Sequence, residues 1–147
     1  MILRKYAVVV SFVLMLALAV APAGAERQPE PRESADHVIT GVIEDIHTEQ
    51  SSFGRGCLGS GTQTHYTARI KVDKVEKGTG IQAAKTIEVR WFHVTRQPLD
   101  PPPGAYGHGY EVARPGAAVR VYLMDAHDGL AVIYNPDGME GSARADR

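Results

Sequence analysis

Residues 64–78, THYTARIKVDKVEKG, constrain the fold more than any other stretch of the chain. Tyr66, Ala68, Ile70 and Val72 recur at every second position, and Thr67, Arg69, Lys71 and Asp73 fill the positions between. Successive side chains of a strand point to opposite faces, so this is the period of a half-buried β-strand. The alternation breaks after Val72, because the next apolar residue, Val75, comes three positions on. One extra residue at Asp73-Lys74 accounts for the break and predicts a bulge there.

The other candidate strands can be arranged around this one. Residues 35–47, ADHVITGVIEDIH, supply apolar side chains to both faces through Val38, Ile39, Val42, Ile43 and Ile46. Gly41 lies inside that run, where a glycine marks a bulge or a close approach of another backbone. Residues 85–94 place Ile87, Val89 and Trp91 on one face, and residues 117–124 do the same with Val119, Val121 and Leu123. Asp128-Gly129 is a hairpin signal leading into residues 130–134, and residues 135–138, NPDG, form a turn. Between the strands lie two long loops, the Gly-rich 48–63 and the Gly- and Pro-rich 96–116, of the kind that carry function in small domains. Residues 101–103 are three prolines, expected to adopt polyproline II. No segment after the N-terminal run has a helical period, although residues 81–85 have room for one short turn. The expectation is an all-β, five-stranded, OB-like Greek-key barrel with little helix.

The ends bound the compartment. Arg4 and Lys5 precede an uncharged, mostly apolar run over residues 7–21, then Pro22 and the small-residue site Ala23-Gly24-Ala25. That is the layout of a signal peptide, with cleavage expected after Ala25. The apolar run is shorter than the ~20 residues of a spanning helix. The expected organisation is therefore a signal peptide at 1–25, a flexible leader at 26–34, one β-barrel domain at 35–140 and a flexible tail at 141–147. No membrane span is expected after cleavage, and the location is expected to be periplasmic or secreted. Cleavage removes Arg4 and Lys5 and no acid, so the net charge moves from −1 to −3. A mildly acidic, mixed surface gives no electrostatic footprint for nucleic acid. The single cysteine, Cys57, cannot form an internal disulfide, so the fold must rest on packing.

Four stretches together resemble a family. They are Ala35-Asp36-His37-Val38-Ile39-Thr40-Gly41-Val42-Ile43, then Val72-Asp73-Lys74-Val75-Glu76-Lys77-Gly78, then Ile87-Glu88-Val89, then Pro115 through Leu123. Their layout is similar to that of small exported bacterial domains of OB-like, netrin/TIMP-like shape, over residues 35–138. The resemblance implies a barrel. It does not extend to metalloprotease inhibition, since inhibitory members rely on an N-terminal cysteine and a disulfide framework, and this chain has Cys57 alone.

Several residues are candidates for chemistry. Cys57 sits among Gly54, Gly56, Gly59 and Gly61, with Arg55 beside it, as an accessible thiol would. His65 is the histidine closest to it in sequence. The six histidines, His37, His47, His65, His93, His108 and His127, show none of the close spacings of a metal site. Tyr106-Gly107-His108-Gly109-Tyr110 is the most exposed-looking histidine setting, and Trp91, Tyr106 and Tyr110 are aromatics able to line a binding face. The candidate ligand-binding set is Cys57, His65, Trp91, His93, Tyr106, His108 and Tyr110, with no catalytic residue, metal or cofactor assigned. The leading expectation is a non-catalytic binding module for an unknown protein or small ligand of the cell envelope. The alternative is a metal- or thiol-dependent protein using Cys57 and the histidines.

Overall fold

The computed structural model describes residues 27–54, 59–99, 104 and 106–142. The segment at 1–25 expected to be a signal peptide, Cys57 and the prolines at 101–103 lie outside them. Six strands follow a single 3-10 turn at Arg32–Ser34: β1 His37–Phe53, β2 Gly61–Lys77, β3 Thr86–Arg96, β4 Ala118–Ala126, β5 Gly129–Val132 and β6 Met139–Gly141. The ring runs β1-β2-β3-β5-β4 and closes through a β1–β4 pairing. All neighbours are antiparallel except β3 and β5, which run parallel at Val89–Leu130 and Arg90–Ala131. This is the expected OB-like Greek-key barrel, and closure removes most of the sheet edge.

The alternation in β2 does what its period requires. Ala68, Ile70 and Val72 are buried in the barrel, while Arg69, Lys71 and Asp73 are exposed. They meet Ile39 and Ile43 of β1, Val89 and Trp91 of β3, Val119, Val121 and Leu123 of β4, and Val132 of β5. The predicted bulge is present. Thr40 faces Lys74 and Gly41 faces Val72, which leaves Asp73 without a partner on β1. Gly41 is needed at that point, because a Cβ there would stand 2.4 Å from the Lys71 carbonyl oxygen. Bulge and glycine together let β1 coil tightly enough to reach β4 on its other edge.

The two-faced apolar pattern of β1 also has its reason. Ile39 and Ile43 point into the barrel, whereas Val38 joins Ala35, Tyr122 and Ile133 in a smaller cluster outside it.

Three expectations require correction. First, most of the segment 48–63 is not a loop. β1 continues to Phe53 and β2 starts at Gly61, so the connection shrinks to residues 54–60. Polar strands are stable here because their side chains pair across the ribbon. Ser51 Oγ on β1 lies 3.1 Å from His65 Nε2 and accepts from Gln63 Nε2 at 3.1 Å, both on β2. Phe53 lies so close over its cross-strand partner Gly61 that a Cβ there would come within 2.5 Å of the ring. Second, a sixth strand follows the turn at 135–138. β5 and β6 share one edge of β4, β5 along Leu123–Ala126 and β6 along Val119–Val121. Met139 on β6 is 4% exposed and belongs to the core. Third, residues 27–34, read as a flexible leader, are hydrogen-bonded to the far end of the chain. Glu30 N donates to Tyr134 O at 2.7 Å, and Asn135 Nδ2 donates to Glu30 O at 2.7 Å. Arg32 lies over the Tyr122 ring at 4.9 Å and pairs with Glu140 at 3.1 Å.

Candidate functional site

The segment between β3 and β4 determines the site. β3 has two neighbours on its second edge. β5 occupies that edge only at Val89 and Arg90. Beyond it, the returning chain takes over: Val94 N donates to Tyr106 O at 2.8 Å and His108 N donates to Phe92 O at 3.0 Å, with an isolated bridge between His93 and Gly107. Residues 106–113 thus form a strap fastened to the β3 edge. Gly107 makes this fit possible. Its φ is +71°, and a Cβ there would come within 1.9 Å of the Phe92 carbonyl oxygen. Only a glycine accepts both conditions.

Under the strap, β2 and β3 present a row of aromatic rings. Tyr66 and Trp91 are cross-strand partners and stack face to face, 5.0 Å between centroids and 2° between planes. Tyr110 from the strap meets Trp91 edge-on at 5.9 Å and 66°. Such pairs contribute about 0.5–1.5 kcal/mol each beyond their area. Tyr110 is anchored at its other end, where its hydroxyl donates to Asn135 O at 2.8 Å. Burial, with the Asp137 carboxylate adding to it, holds the Tyr110 phenol above the ordinary tyrosine range, so it stays protonated and keeps donating. Gly138 makes room for that hydroxyl, since a Cβ there would stand 2.8 Å from it.

Two hollows flank this row. One is an open groove of about 380 Å³, floored by Tyr66, Trp91 and His93 and walled by Gly109, Tyr110, Glu111 and Ala113. The other is a chamber of about 190 Å³ with mainly apolar walls, where β5 leaves β3. Trp91 and Tyr110 line both.

Of the residues picked out from sequence, the fold gathers four around these hollows. Trp91, His93 and Tyr110 meet at the groove, and His108 lines the chamber, its ring 4.5 Å from that of Tyr134. Tyr106 lines neither and fastens the strap, its backbone N donating to the Tyr134 hydroxyl at 3.3 Å. His65 is on the opposite face of β2 from Tyr66, in contact with the Phe92 ring at 6.2 Å between centroids, so it does not join the others. Cys57 lies outside the described residues. Among the described residues, no three His, Cys, Asp or Glu side chains come together in a way that would hold a metal ion. No described helix is long and apolar enough to cross a membrane. Tyr66 and Glu111 were missed. Tyr66 was readable as a core position of its strand, and its place beside Trp91 depends on register. Glu111 sits in an irregular segment with no local signal.

The fold and this site define a small OB-like β-barrel with a strapped groove on its β2–β3 face. The chain matches no known protein family, no characterised protein and no solved structure.

Proposed function

We propose that this protein is an exported, non-catalytic binding module, and that its ligand is a segment of an envelope protein or a small molecule seated in the groove between Tyr66, Trp91, His93 and Glu111. The observation that carries this reading is the strapped aromatic row. The rings stand on two long paired strands, which hold them still, and the strap contributes Tyr110 and Glu111 from the facing side. Binding sites combine such apolar and aromatic surface with a few fixed polar groups, here His93 and Glu111. The β2–β3 face is also where OB-like barrels take up ligands. The N-terminal signal layout supports an envelope location.

A photo-crosslinking amino acid placed at Glu111 in the exporting cell tests the proposal, with the exposed position Asp73 as the control. Discrete adducts at position 111 that are absent at position 73 are the expected result. Equal or no labelling at the two positions would reject the groove as the contact surface.

A further inference from the structure

Closure of the barrel leaves one long strand edge open. β1 pairs with β4 only as far as Val42, and the last backbone bonds on that side join Ile43 to Gly116 and Ala117. From Asp45 to Phe53, β1 has β2 on one side and no strand on the other among the described residues. A strand in an antiparallel ladder turns the N–H and C=O groups of alternate residues to each side, so half of those in 45–53 face outward. At about 3.4 Å per residue this edge is roughly 30 Å long. It is also regular. Its register with β2 has no shift from Asp45 to Phe53, and the stretch DIHTEQSSF contains no proline or lysine. Short length, bulges, prolines and lysines are the usual means of keeping another strand off an edge, and this edge has none of them.

The side chains along the edge decide which strand it admits. Residues 44–53 carry three acids, Glu44, Asp45 and Glu49, and no lysine or arginine. Glu44 is already satisfied, with Arg69 at 3.8 Å and the Thr86 hydroxyl donating to it at 3.2 Å. Asp45 and Glu49 are exposed and have no ion pair among the described residues. They lie across from Arg69 and His65 of β2, which places both on the outer face of the sheet, away from the Tyr66–Trp91 row. A second copy laid antiparallel along 45–53 in full overlap would set Glu49 against Glu49, and like charges directly opposite are destabilising.

We propose that the β1 edge at 45–53 takes up an extended, basic segment of a partner protein as an added antiparallel strand, with cationic side chains four residues apart standing opposite Asp45 and Glu49. Backbone pairing holds the segment, and the two charges select it and set its register. The groove lies on the other face of the sheet, over β2 and β3, so this surface does not rest on the groove having a ligand.

The probe is a nine-residue peptide of threonine and valine with lysine at its third and seventh positions, which antiparallel pairing sets opposite Glu49 and Asp45. One control moves the second lysine to the sixth position, on the opposite face. The other is N-methylated at its amides and cannot donate to the ladder. Titrated into the ¹⁵N-labelled exported protein, the probe is expected to shift the amides of residues 45–53 saturably, and both controls to bind at least about tenfold more weakly. Asp45→Lys combined with Glu49→Lys is expected to abolish binding of the probe and to bind instead the same peptide with glutamates in place of its lysines. Both positions are exposed, so the double change leaves the core untouched. Absence of a saturable shift, equal binding of the probe and either control, or shifts confined to residues 109–113 would each overturn the proposal. So would a dimer in sedimentation that the probe dissociates, because the occupant of the edge would then be a second copy.

Discussion

Gly107 and Gly116 both have positive φ, +71° and +83°, yet they predict different outcomes on substitution by alanine. At Gly116 no atom lies within 4 Å of the missing Cβ, so Gly116→Ala bears only the backbone penalty, about 1–2 kcal/mol. At Gly107 the Cβ would overlap the Phe92 carbonyl, so Gly107→Ala is expected to cost roughly 2–5 kcal/mol, the backbone penalty plus overpacking. Urea unfolding of the two variants checks the order. Tyr110 gives a second residue-scale prediction. Its phenol is held protonated in the folded state, above the value of about 10 that it takes in the unfolded chain. Above that pH the unfolded state binds fewer protons, so stability falls as pH rises toward the folded-state value. Tyr110→Phe is expected to be less stable near neutrality, through loss of the bond to Asn135 O, and to show a shallower decline above pH of about 10. Thermal melts across that range would contradict the assignment if the two slopes were the same. The aromatic residues were legible as a set, but their grouping was not. Trp91 and Tyr110 lie in different segments, and only the return of the strap along β3 brings them together.

At the scale of elements, periodicity was informative where one face is buried and silent where both are wet. The inward positions of β2 and β4 and the Asp73 bulge could be read directly, because a buried face imposes a period of two. The far end of the β1–β2 ribbon could not. Residues 47–50 are exposed on both faces, so nothing in their hydropathy marks a strand, and its glycines read as loop. β6 was missed for the opposite reason. It is three residues long, and one buried side chain, Met139, cannot display a period. Its contribution is nevertheless a core contribution. Met139→Ala is expected to destabilise by about 2–5 kcal/mol, as for other buried large-to-small changes, despite its place in what the sequence presents as a polar tail. A change below about 0.5 kcal/mol by chemical denaturation would show that β6 does not seal the barrel.

At the scale of the whole molecule, the barrel closes twice. Its strands close through β1 and β4, and its chain closes where the leader meets the segment after β5. The leader's composition, charged with two prolines, gave no hint of this, because the contacts are backbone hydrogen bonds and an arginine laid over Tyr122. A protein beginning at Ala35 is expected to be about 1–3 kcal/mol less stable than one beginning at Glu26, reflecting the lost hydrogen bonds and cation–π contact. Equal melting of the two forms would assign the leader no role. The alternative reading of the site is checked at this scale too. Purified protein is expected to hold no stoichiometric zinc or copper by elemental analysis, and chelator is expected to leave its melting unchanged, for wild type and Cys57→Ser alike.

The ion pair between Arg32 and Glu140, 3.1 Å long, has a topological consequence. It ties residues at the two extremities of the domain to one spot beside Tyr122, so the path of the backbone is almost a loop. A short bridge from residue 142 to residue 31 would complete that loop, and the chain could then be cut in the connection between β1 and β2. Domains whose termini lie close together tolerate such rewiring. In the permuted chain β2 becomes the first strand and β1 the last, the strand pairings and the strap are kept, and what is lost is the contacts of residues 27–30, among them Arg27 at the chamber rim and Glu30 with Tyr134 and Asn135.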